Sequence, residues 1–166
     1  MARISGVSVT TVSVAEAQVL DGVTAGTVTA SKAVVADASK QIDVLKATVG
    51  FQNVPVARTA TADGLTTGTI ADGTAHVTVT SADANHIIIL PTPTPGVTVR
   101  LKNGATGYEL RSSAPASISI NGGSGADAES AIGANVLVTC VCVSATAWVC
   151  MNQAADGTVT ATEVAA

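Results

Sequence analysis

His86-Ile-Ile-Ile-Leu-Pro-Thr-Pro-Thr-Pro-Gly-Val-Thr-Val-Arg-Leu-Lys-Asn103 is the stretch from which the fold of this chain is read. It opens on the purely apolar run Ile87–Leu90. A Pro-rich turn follows, from Pro91 to Gly96. After the turn the residues alternate strictly: Val97, Val99 and Leu101 point one way, and Thr98, Arg100 and Lys102 point the other. A period of two is the mark of a half-buried strand. Proline cannot donate a ladder hydrogen bond, so the three prolines punctuate the sheet from outside it. The reading is two β-strands joined by a stiff turn, with further strands packed around them.

Composition limits what surrounds this centre. The 166 residues are 47% hydrophobic, yet only 2% aromatic and 12% charged. Large side chains dominate core burial, so a thin core is expected, and a thin apolar β protein is stabilised by association. The sequence therefore predicts an oligomer. The net charge of −4 and scattered basic residues argue against a nucleic-acid partner, which needs clustered Lys and Arg. No run of 18 apolar residues marks a membrane span, and residues 1–18 lack the apolar segment of a signal peptide. The expected setting is a cytoplasm, or an assembly made there.

Moving outward, strands are predicted at 67–70, 76–81, 86–90, 97–102, 108–112, 117–120, 136–143 and 147–152, separated by turn residues. Asn103-Gly104 suits a tight hairpin. Residues 121–135 read as a long Gly-rich loop. Eight short strands at this spacing suggest a β-sandwich or jelly-roll-like barrel. In the N-terminal region, Ser13 and Glu16 have the spacing of a capping box, and Gly22 suits the residue just past a helix end, so a short helix is expected over 14–20. Residues 33–36 and 41–45 flank a polar turn and read as a hairpin. Residues 51–64 read as a linker. The expected organisation is an N-terminal arm, helix and hairpin over 1–57, a β-domain over 58–153 and a tail over 154–166.

The residues carry little sign of catalysis. His76 and His86 each begin a predicted strand and read as exposed strand-edge residues, with no nucleophile elbow beside them. The acids mostly occupy turns. Cys140, Cys142 and Cys150 cannot all be paired. Cys140 and Cys142 lie two apart on one strand face, roughly 6.5 Å from each other, at the upper limit for a bridge. Cys150 faces Cys142 if the intervening turn has an odd number of residues. Cys-x-Cys completed by His76 or His86 matches no usual zinc spacing, so the thiols read as small buried hydrophobes and no cofactor is expected. Trp148, the sole Trp, is expected in the core.

Two stretches resemble known structural proteins. AEAQVLDGVTAGTVTASKAVVADASKQID (15–43) resembles a segment found in head-decoration, head-fibre and tail-fibre proteins of tailed bacteriophages. The second, residues 76–151 from HVTVTSADANHIIILP to AWVCM, is similar to a β-domain of phage capsid decoration proteins, with its Leu-Pro strand end, Pro-Gly turn, Ile-Asn-Gly turn and Trp-containing last strand. Trp148-Val-Cys-Met departs from the large residue that usually follows the Trp. The resemblance implies a non-enzymatic virion protein, a capsid decoration or cement protein, assembled in the host cytoplasm as a homotrimer on the major capsid protein. It implies an interface in the N-terminal region, for which Val19, Leu20, Val34, Val35, Ile42, Val44 and Leu45 are the candidates. The alternative is a fibre module that binds a host-surface glycan.

Overall fold

The computed structural model describes Gln18, residues 21–23 and residues 53–166. The chain divides into two compact units, Met1–Phe51 and Gln52–Ala166. The second unit is mostly β, as expected. Its strands are β1 (Val56–Thr59), β2 (His76–Thr80), β3 (Ile87–Ile89), β4 (Thr98–Asn103), β5 (Tyr108–Arg111), β6 (Ser119–Ile120), β7 (Glu129–Ile132), β8 (Leu137–Ser144), β9 (Ala147–Gln153) and β10 (Val159–Ala161). The expected hairpin over 33–45 lies outside the described residues. So does the expected helix, apart from Gln18, which is helical, and the Gly22 that follows it with φ of 68°.

Two sheets form a sandwich. The larger runs β1-β2-β4-β8-β9-β10, with β6 also on β9; the smaller runs β3-β5-β7. Pairing is parallel for β1–β2, β2–β4, β3–β5 and β6–β9, and antiparallel for the other pairs. One continuous core joins the two inner faces. The larger sheet gives it Val77, Val99, Leu101, Val138, Cys140, Trp148 and Cys150; the smaller gives Ile88, Tyr108, Leu110 and Ile132. Trp148 is fully buried, as its size demands. This unit thus fills its own interior with one chain.

The central stretch explains how the sheets are linked. Ile87–Ile89 belongs to the smaller sheet and Thr98–Asn103 to the larger, so the Pro segment is a crossing between layers. Pro91 and Pro93 are buried there. Having no N–H, they enter the interior without orphaning a donor. Thr92 between them donates its N–H to Asp72 Oδ1 at 2.9 Å. In β4 the alternation holds residue by residue, with Val99 and Leu101 inside and Thr98, Arg100 and Lys102 outside.

Several expectations are corrected. Asn103-Gly104 does not close a hairpin, because both edges of β4 are already taken by β2 and β8. Asn103 is instead buried. Its Nδ2 donates to Thr106 O (3.0 Å) and Gly133 O (2.8 Å), and its Oδ1 accepts the Val136 N–H (3.1 Å). Residues 67–70 make a single bridge, Thr69 to Ile89, rather than a strand. The 121–135 segment contains β7, whose outward residues are Glu129 and Ala131. The linker expected over 51–64 supplies β1, and the expected tail supplies β10 and buries Thr162 and Ala165. Gly123 is required where the tail passes, since a Cβ there would collide with the Ala165 backbone.

Candidate functional site

The outward face of the larger sheet is the feature that an isolated sandwich leaves unexplained. In β8, Val138, Cys140 and Cys142 point inward, and Leu137, Thr139, Val141 and Val143 point outward. In β9, Trp148 and Cys150 point inward, and Val149, Met151 and Gln153 point outward. The register aligns these into rows across the sheet. One row runs Thr98, Val141, Val149. The next runs His76, Arg100, Thr139, Met151, Ala161. A third runs Thr78, Lys102, Leu137, Gln153, Val159. Val143 is 54% exposed, Val149 42%, Met151 40% and Val159 57%.

The face is therefore divided. Its β8–β10 half is apolar, and its β2–β4 half carries Arg100, Lys102 and His76. At one end of the apolar half, Lys102, Asn135, Leu137, Gln153, Ala154 and Ala155 line an open cleft of about 590 Å³. Lys102 Nζ donates to the Asn103 carbonyl at 2.8 Å. Contiguous exposed apolar surface on a soluble protein commonly marks contact with another molecule. The edge strand β10 adds to this: Val-Thr-Ala contains none of the lysines or prolines that usually blunt a sheet edge.

A second cluster lies on the outward side of the smaller sheet. Arg111 pairs with Glu129 across β5 and β7, with Asp127 3.9 Å from the same guanidinium. Glu163 Oε2 accepts the Ala131 N–H at 3.0 Å, which ties the C-terminal segment to β7. Glu109 titrates above its ordinary value, first because it is partly desolvated and then because Glu129 and Glu163 are negative neighbours. The Arg111–Glu129 pair joins β5 to β7, and Glu163 ties the C-terminal segment to β7. Among the described residues, no three His, Cys, Asp or Glu side chains cluster so as to hold a metal ion.

No family model, curated protein or solved structure matches this chain.

The structure places the sequence-derived candidates as follows. Val19, Leu20, Val34, Val35, Ile42, Val44 and Leu45 lie outside the described residues. His76 and His86 are half-buried rather than exposed. They stand on different sheets: His76 faces outward on β2, and His86 precedes β3, its carbonyl accepting the Glu109 N–H at 2.7 Å. Cys150 faces Cys140, not Cys142, which stands opposite Trp148. The two-residue turn at 145–146 and a register shift of one residue between Cys142 and Ser144 together set this pairing. The exposed apolar face is absent from the sequence-derived candidates, although residues 137–143 carry its signal. Leu-Val-Thr-Cys-Val-Cys-Val is apolar at both parities, the composition of a strand buried on both sides.

Proposed function

We propose that this chain is a structural virion component, a capsid decoration protein that self-associates as a trimer and binds the outer surface of an assembled shell. One observation supports the reading above others. β8 and β9 have the composition of strands covered on both faces, yet a single copy leaves Val143, Val149 and Met151 exposed and Val141 only half-covered. Association covers that surface, and repeated association is the work of a shell component. The resemblance of residues 15–43 and 76–151 to phage decoration proteins supplies the setting. The Arg100 and Lys102 flank suits an acidic rim on the neighbouring molecule.

The deciding experiment is copy number on purified particles, by gel densitometry, with low-resolution imaging to locate the protein. Hundreds of copies spread over the shell support decoration. A handful at one vertex or on the tail points to a fibre module. Absence from particles ends the proposal.

A further inference from the structure

Cys140 and Cys150 stand directly opposite one another in the β8–β9 register. The hydrogen bonds around them decide what kind of pair they form. Cys142 donates its N–H to Val97 O and accepts from Gly96 N, both at 2.9 Å. Its amide groups face β4, and so do those of Cys140 two residues earlier, because direction alternates along a strand. Cys150 turns its amide groups to the other side. Its N–H goes to Asn121 Oδ1 at 2.8 Å, and its carbonyl accepts from Asn121 Nδ2 at 3.0 Å. Cys140 and Cys150 therefore exchange no ladder bonds. Such non-hydrogen-bonded pairs bring Cα atoms to about 4.5 Å and side chains closest together, inside the disulfide window of roughly 4.4–6.8 Å. Both side chains project into the core and are buried as free thiols. The third thiol is turned elsewhere: Cys142 faces Trp148, and its Sγ donates to Ser144 O at 3.1 Å.

We propose that Cys140 and Cys150 are an oxidisable pair that closes to a disulfide, joining β8 to β9, when the protein meets a low-molecular-weight disulfide oxidant. One thiol gives up its proton, and the thiolate attacks a sulfur of the oxidant, expelling half of it as a thiol. The second protein thiolate then attacks the mixed disulfide and expels the other half. The protein loses two protons and two electrons, and one oxidant disulfide becomes two thiols. Burial holds the Cys140 thiol well above its ordinary range. Burial also keeps a tripeptide-sized oxidant away, so closure in the intact fold is slow and runs through partial opening or through folding itself. Cys142 remains free, which accounts for the odd count. In a reducing compartment the chain keeps three thiols; outside one it gains a staple between two core strands.

The test uses the full chain. It is refolded from urea, and separately held in dilute urea, in glutathione buffers from fully reduced to fully oxidised. Free thiols are then alkylated, and the intact mass and the peptide map are read. Oxidised samples should lose two hydrogens, keep one alkylatable thiol, yield a peptide pair linked through Cys140 and Cys150, and melt several degrees higher in a way that reductant reverses. C142S should behave identically, whereas C140A and C150A should yield no intramolecular bond. Three alkylatable thiols after oxidative refolding, a bond that uses Cys142, or a lower melting temperature on oxidation would each overturn the proposal.

Discussion

Asn121 stands beside Cys150 in the manner of a neighbouring strand. Its side-chain amide accepts the Cys150 N–H and donates to the Cys150 carbonyl and to Thr162 O. The second edge of β9 is shared: β6 takes Ala147 and Trp148, and β10 takes Met151 to Gln153. Cys150 falls in the gap, where the Asn121 side chain takes its N–H and shares its carbonyl with the Thr162 N–H at 3.4 Å. Asn121 has φ of 52°, in the left-handed region that Asn tolerates better than most residues.

Replacing Asn121 with Ala should therefore cost about 2–3 kcal/mol, since the Cys150 N–H and the Thr162 carbonyl lose their partner and the Cys150 carbonyl keeps only the longer bond from the Thr162 N–H. Asn121→Gly keeps the backbone conformation at ease but not the bonds, and should recover only a small part. Urea melts of the two variants separate the contributions. A loss within error of zero would mean that water replaces the amide.

Trp148 is the largest buried side chain and pairs with Cys142 on one side and Ile120 on the other. Trp148→Ala should destabilise by about 3–5 kcal/mol. Because the chain has no second Trp, circular dichroism rather than fluorescence is the measurement. An unchanged midpoint would show that the core can collapse around the loss.

Glu109 carries a pH signature. Its folded value is raised above the ordinary 4.5, so the neutral form is favoured by folding. Its contribution is fully present below that ordinary value and is lost as pH rises through the raised one. Glu109→Gln removes the titration. The melting temperature of the variant relative to the parent should rise from acid to neutral pH. A difference independent of pH would remove desolvation and the Glu129 and Glu163 charges as its cause.

On the outward face, Val149→Lys or Met151→Lys places a charge where one copy has only water. Stability of the isolated chain should change by no more than about 0.5 kcal/mol, while self-association and particle binding weaken. Mass photometry and co-sedimentation with shells read the two effects. Undiminished assembly in both variants would exclude this face as a contact.

Leu20→Asp and Ile42→Asp test the interface expected in the N-terminal region. A buried unpaired charge is costly, so either change should shift a trimer toward smaller species by sedimentation. Normal trimers from both would place the contact elsewhere, and a stable micromolar monomer of the unaltered chain would remove the trimer itself.

Legibility followed local pattern. β2, β4, β8 and β9 were plain because Val or Leu alternates with polar residues, or because an apolar run is bounded by turn residues. β7 was missed because Glu-Ser-Ala-Ile is short and its inward positions include Ser130. β1 was missed because Val-Ala-Arg-Thr follows Pro55 and contains Arg58. Partner choice was not legible. Asn103-Gly104 has hairpin chemistry, but tertiary competition for the edges of β4 decides against it. Trp148, Tyr108 and the branched aliphatics form the core of the second unit, while Val143, Val149 and Met151 stay exposed on its exterior.

The order of the larger sheet has a consequence in time. β1, β2 and β4 run parallel, β6 reaches across to β9, and β3 to β5 is parallel too. Each of these pairings must close a long loop before its contacts form, which slows folding. Opening the sandwich must undo the same interlaced pairings. The endurance of such a molecule is better described by a half-life than by an equilibrium constant.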